Sequence, residues 1–176
     1  MTLLLATIAA AFLVTGLTVA TRARNEVWRA KETLWLDVVK KSPNKLRGYF
    51  HLGMYYAENG DLGAAESWYK KALKVNPASD FAHFKLGRLY EKMGDLDSAI
   101  SEYASAQKNN PQLALAPLAI GDVYMKKGDP RSARDYYMTA LSISPGFVEA
   151  GAGLKKAVEA MNSEGSINSS VTRAGN

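Results

Sequence analysis

The sequence predicts an all-α, right-handed superhelical solenoid preceded by one N-terminal transmembrane helix, and three observations carry that prediction. First, one 34-residue pattern is written three times between Leu46 and Phe147: Gly53, Gly87 and Gly121 stand one period apart, as do Tyr69, Tyr103 and Tyr137, and Pro77, Pro111 and Pro145. A fixed period of this length marks stacked supersecondary units. Second, apolar residues inside each copy recur at helical spacing, and a Gly-Asp pair (Gly60-Asp61, Gly94-Asp95, Gly128-Asp129) divides each copy in two. Third, residues 2–20 form an uncharged run rich in Leu, Ala, Val and Ile.

That run comes first in the chain. At 1.5 Å per residue it reaches about 30 Å, enough to span a bilayer. No basic region precedes it and it exceeds the usual signal-peptide core, so residues 1–21 are expected to be a retained span. The competing reading, a cleaved signal with the mature N-terminus near Thr21, would make the protein a secreted periplasmic one. Arg22, Arg24, Arg29 and Lys31 follow the run, which by flanking charge alone places the rest of the chain in the cytoplasm.

Residues 22–45 hold Val27, Trp28, Leu34, Trp35, Val38 and Val39 at helical spacing. In repeat register Trp35, Val38 and Pro43 fall where a copy's second helix has its aromatic, small residue and proline. Lys31–Ser42 is therefore expected to be the second helix of a broken repeat, with Trp35 packed against Tyr49 and Tyr56 and Trp28 at the membrane interface.

The three full copies span 46–79, 80–113 and 114–147. Small residues at Gly53 and Ala65 would let two antiparallel helices approach, with Tyr69 filling the space between them. Gly60 breaks the first helix and Asp61 caps the second. Pro77 ends the second helix. Asp129-Pro130 places an N-cap before a proline at the first helical position, where its missing N–H costs nothing.

This pattern resembles the tetratricopeptide repeat (TPR), whose signature is matched in the first copy by Tyr49, Leu52-Gly53, Tyr56, Ala65, Tyr69, Ala72 and Pro77. The second copy departs from it at His83, and the third at Pro117 and Ile120. The resemblance covers about 100 residues and implies a protein- or peptide-binding scaffold. Arg24-Asn25-x-x-Trp28, Leu34-Trp35-x-Asp37 and Lys41-Ser42-Pro43 carry a narrower resemblance. They are similar to the tail of glycosyltransferase-like membrane proteins of the protein O-mannosyltransferase type, whose last transmembrane helix runs into TPRs outside the cytoplasm. That resemblance implies an accessory or truncated relative of such a tail, and none of the family's catalytic part is present.

Beyond the repeats, residues 148–162 read as a capping helix that covers the last apolar surface. Gly151 and Gly153 weaken it by about 1 kcal/mol each. Residues 163–176, rich in Ser and Asn without periodicity, read as a disordered tail.

Composition narrows the function. The chain has no cysteine, so thiolate metal sites, thiol nucleophiles and disulfides are excluded. Of the net charge of +5, residues 22–45 hold +4 from seven basic and three acidic residues. Residues 46–162 hold only +1, from fourteen and thirteen. A nearly neutral solenoid does not suit nucleic acid. The two histidines, His51 and His83, lie at different repeat positions with no acidic or cysteine pattern around them, and are expected to be surface or half-buried helix residues. No catalytic, cofactor or metal site is expected, and no small-molecule substrate. What remains is a partner-binding groove along the first helix of each copy. The residues expected to project from it are Phe50, Met54, Phe81, Phe84, Lys85, Arg88, Lys92, Leu115, Leu118, Asp122 and Lys126. A basic middle with apolar flanks suits a segment with hydrophobic anchors and an acidic centre. Phe50, Phe84 and Leu118, equivalent in all three copies, are equally suited to packing between repeats. The clamp by which co-chaperone TPRs hold a terminal carboxylate would need polar side chains where this chain has Phe50, Met54, Leu115 and Ala119.

Overall fold

The computed structural model describes residues 15–18, 21 and 31–174. The helical segment 31–41, named α1, leads into seven helices. These are α2 (Leu46–Glu58), α3 (Leu62–Val75), α4 (Asp80–Met93), α5 (Leu96–Asn109), α6 (Leu115–Lys126), α7 (Pro130–Ile143) and α8 (Val148–Ala174). The pairs α2/α3, α4/α5 and α6/α7 are the three copies, each stacked on the next, and α8 closes the stack against α7 and α6.

The turns follow from the Gly-Asp pairs. Gly60, Gly94 and Gly128 sit at φ of +85°, +83° and +74°, the left-handed region where a Cβ is strained. The aspartate that follows each one accepts a backbone N–H of the next helix: Asp61 from Ala64 at 3.0 Å, Asp95 from Ser98 at 3.1 Å and Asp129 from Ser132 at 3.0 Å. Asn76, Asn110 and Ser144, each before a proline, leave the helical region, which ends α3, α5 and α7.

Inside each copy the close approach of helices is set by glycine against tyrosine. A Cβ on Gly53, Gly87 or Gly121 would lie 2.5, 2.8 or 2.7 Å from the ring of Tyr69, Tyr103 or Tyr137. The hydrophobic core itself lies between copies. Ala65 and Tyr69 of α3 meet Leu86 and Leu89 of α4, and Ala99 and Tyr103 of α5 meet Ile120 and Val123 of α6. Ala133 and Tyr137 of α7 meet Ala157 of α8. One copy alone could bury none of this, so the solenoid folds as a stack. Pro117 is fully buried in the first turn of α6, where the proline ring breaks no helical hydrogen bond.

α1 occupies the place of a second helix, but its aromatic has a different partner from the expected one. Trp35 stacks on His51, ring centroids 3.9 Å apart, rather than on Tyr49 or Tyr56. The Tyr56 hydroxyl instead donates to Glu32 at 2.6 Å. Gly48 brings α2 against α1, since a Cβ there would meet Val39 at 2.7 Å. Trp28 lies outside the described residues, as does all of the apolar run 2–20 except 15–18. Among the described residues no helix is long and apolar enough to cross a membrane.

α8 differs from expectation twice. It runs to Ala174, past the boundary at residue 162 beyond which the sequence suggested a disordered tail. No proline interrupts it, and beyond residue 162 Gly165 is the one breaker within the helix, worth about 1 kcal/mol. Gly153 is not merely a weak point: a Cβ there would stand 2.6 Å from the Tyr137 ring, so α8 repeats the glycine-on-tyrosine contact.

Candidate partner-binding groove

The first helix of each copy presents one face to a concave surface, and side chains from α2, α4 and α6 shape it. A cleft of about 260 Å³ opens between α2 and α4, with Met54, Ala57 and Glu58 on one wall and Lys85, Arg88, Leu89 and Lys92 on the other. Tyr69 of α3 lines its floor. A second cleft of about 290 Å³ between α1 and α2 shares Met54 and Glu58 with the first, and adds Leu34, Trp35 and His51. The two are therefore halves of one concavity, apolar towards α1 apart from Lys31 and basic towards α4. A third cleft, about 500 Å³, lies further along between α4, α6 and α8.

The eleven residues expected in the groove do not share one role. Met54, Lys85, Arg88 and Lys92 line the first cleft together. Lys85 and Arg88 form no ion pair among the described residues, and the Lys92 Nζ rests 3.5 Å from the Ala57 carbonyl oxygen. Asp122 and Lys126 line the third cleft but are already engaged. Lys126 pairs with Glu91 at 2.5 Å, and Asp122 accepts the Tyr137 hydroxyl at 2.8 Å. Phe50, Phe84 and Leu118 are half-buried and pack into the three inter-repeat core clusters. Phe81 and Leu115 are exposed, and neither lines these three clefts. So the periodic apolar positions serve packing, and the aperiodic charged ones face the groove.

Sequence reasoning missed Tyr69, Ala57, Glu58 and Leu89 in the first cleft and the contribution of α1 to the second. The signal for Tyr69 lay in the repeat register. In the second copy the Tyr103 hydroxyl donates to Glu91 at 2.7 Å, and in the third the Tyr137 hydroxyl donates to Asp122. The positions one period before Glu91 and two before Asp122 are Ala57 and Met54. Tyr69 therefore has no carboxylate at either of these two positions, and no hydrogen bond from its hydroxyl to Glu58 is formed. Its side chain is 2% exposed, yet no buried polar atom among the described residues lacks a partner, so its hydroxyl reaches the cleft rather than the sealed core. Burial and the nearby Glu58 push its phenol up to about 12, against a smaller lowering by Arg88, so it stays a hydrogen-bond donor at neutral pH.

The histidines are structural. His83 is half-buried, with Nδ1 2.7 Å from Glu102 and Nε2 2.9 Å from the Pro77 carbonyl oxygen. His51 stacks on Trp35, and burial followed by the charge of Arg47 lowers its pKa.

Comparison with known proteins agrees with this architecture. A family model described as TPR repeat matches residues 53–94, and one described as tetratricopeptide repeat matches 84–146. The chain carries tetratricopeptide repeats. No curated protein sequence matches it. Among solved structures, the TPR chain resembles the crystal structure of MamA protein at 25% identity and a TM-score of 0.70, over 81% of this chain and 78% of that one. It also resembles YrrB, described as a TPR protein with an unusual peptide-binding site, at 21% identity and a TM-score of 0.65, over 74% and 68% of the two chains. The first TPR of Spaghetti (RPAP3), bound to the HSP90 peptide SRMEEVD, is similar at 20% identity and a TM-score of 0.63, over 67% and 94%.

Proposed function

We propose that this protein is a membrane-tethered, non-catalytic scaffold that holds an extended segment of a partner protein along its concave face. The observation that carries the reading is the cleft between α2 and α4, where Lys85 and Arg88 have no ion-pair partner among the described residues and stand beside apolar Met54 and Leu89. Two solved TPR structures of the same fold support it, one described as having a peptide-binding site and one holding a peptide. The uncharged run 2–20 supplies the tether. Capture of a partner from native membranes should weaken in Lys85→Ala and Arg88→Ala chains whose helicity and melting match wild type. Capture unchanged in both variants would remove the groove from the account.

Which side of the membrane the repeats occupy decides what partner to expect. Ser101 is exposed on α5, and the chain has no cysteine, so Ser101→Cys introduces a single thiol for a membrane-impermeant maleimide. Labelling only after lysis, as flanking charge predicts, points to a cytosolic partner. Labelling on intact cells favours the accessory role beside a membrane glycosyltransferase that the 24–43 stretch suggests. N-terminal sequencing that begins near Thr21 would replace the tether with a cleaved signal and a periplasmic protein.

A further inference from the structure

The three copies use the same buried tyrosine but finish it differently. Tyr103 and Tyr137 each donate their hydroxyl to a carboxylate of their own copy, at 2.7 and 2.8 Å. Tyr69 has the same seat against glycine, while Ala57 and Met54 stand where those carboxylates would be. Its hydroxyl instead opens into a cleft that holds Lys85, Arg88 and Lys92 against the single carboxylate Glu58. A buried-ring donor with no acceptor among the described residues, beside three cations and one carboxylate, is suited to receive a further carboxylate.

We propose that Tyr69, Lys85 and Arg88 seat the side chain of a glutamate or aspartate within the partner segment, which supplies in trans the acceptor that the other two copies hold in cis. The proposal rests on the reading above that a peptide occupies the concavity. The segment passes through rather than ending here, because the cleft continues past Met54 and Glu58 into the apolar half beside Trp35. A hydrophobic residue of the same segment therefore sits in that half, next to the acid. Glu58 on the rim favours a singly charged carboxylate over a dianionic phosphate.

The test uses the full chain in lipid nanodiscs and a phage-displayed library of random dodecapeptides, with Arg88→Ala protein as counter-selection. Enriched sequences should share an acidic residue close to a hydrophobic one. The best is then synthesised with both ends blocked, as itself and with that acid changed to Gln or moved to a free C-terminus. The Gln peptide should bind wild type about tenfold more weakly, the value of a hydrogen bond to a charged group. On Tyr69→Phe, matched to wild type in melting, the same change should cost about threefold or less, and on Tyr103→Phe it should still cost about tenfold. Tighter binding of the free C-terminal form would overturn the side-chain assignment in favour of a terminal carboxylate. Enriched peptides without an acid, or an undiminished penalty on Tyr69→Phe, would overturn the proposal and leave the peptide groove standing. Enrichment that Arg88→Ala matches in full would overturn the groove reading and this proposal with it.

Discussion

The first copy and the later two are built on the same tyrosine, and they part only at its hydroxyl. Tyr69, Tyr103 and Tyr137 are all almost fully buried, and each presses its ring on a glycine one helix away. The ring is thus a packing element, repeated because the stack needs it three times. The hydroxyl is not under that constraint. In two copies it is tied to Glu91 or Asp122, and Glu91 is tied in turn to Lys126. In the first copy it faces a cleft with unpaired cations. On the proposal above, the first copy gains its site by omission, leaving out a carboxylate that the other copies provide.

If the rings are equivalent, removing them should be equally damaging. Tyr69→Ala and Tyr103→Ala should each cost about 3–5 kcal/mol, the range for deleting a buried aromatic. Urea denaturation followed by circular dichroism measures both. A much smaller loss for Tyr69 would mean that the first copy is loosely packed and that its cleft reflects a poor core.

Gly151 and Gly153 of α8 sharpen the comparison at Tyr137, a ring held by glycine on two sides. Gly153→Ala would drive a Cβ to 2.6 Å from that ring, which Gly121 already confines from the other helix. A loss of about 1–3 kcal/mol is expected from such overpacking. Gly151 has open space around it. Gly151→Ala should therefore stabilise by about 0.5–1 kcal/mol, the helix propensity difference. Matched melting of the two variants would show that α8 merely lies on the stack and is not seated on Tyr137.

The hydroxyls should separate where the rings do not. Tyr103→Phe and Tyr137→Phe each remove a hydrogen bond to a carboxylate and should cost about 1.5 kcal/mol. Tyr69→Phe removes a hydroxyl with no partner among the described residues and should fall within about 0.5 kcal/mol of wild type. Equal losses in all three would mean that Tyr69 has an acceptor in the folded protein, and the cleft would lose its free donor.

This division also explains what could be read from the sequence. Helix boundaries, turns and the Gly53–Tyr69 type of contact were legible because they recur in phase, and each repetition is a separate vote for one geometry. Groove chemistry differs from copy to copy, so the period says nothing about it. Phe50, Phe84 and Leu118 suited the groove and inter-repeat packing equally in the sequence, and in the structure they pack against the core clusters. Lys126 and Asp122 looked free because their partners, Glu91 and Tyr137, come from other helices and meet them only when the stack forms. Trp35 found His51 rather than Tyr49 or Tyr56, and His51 is not repeated, since Lys85 and Ala119 stand at its place in the later copies.

The smallest effect concerns the carboxylates themselves. Burial raises the carboxyl of Asp122 above the usual aspartate range, and the hydrogen bond from Tyr137 pulls it back only in part. An acid whose folded value is raised contributes stability below its unfolded value, near pH 4, and loses that contribution as pH climbs through the folded value. Wild type should therefore lose stability relative to Asp122→Asn as pH rises above about 4. Asp95 is the opposite case, since hydrogen bonds from Ser98 at the start of α5 lower its carboxyl. Its contribution is present above the unfolded value and is lost as pH falls, so Asp95→Asn should be most damaging near neutral pH. Melting temperatures of wild type and both variants, followed upward from about pH 4 for Asp122 and downward from about pH 4 for Asp95, measure the two slopes. An Asp122→Asn difference with the sign of Asp95 would mean that the bond from Tyr137 outweighs burial. The third copy's carboxylate would then be a stabilising partner at neutral pH, and its absence beside Tyr69 would leave the first copy weaker as well as open.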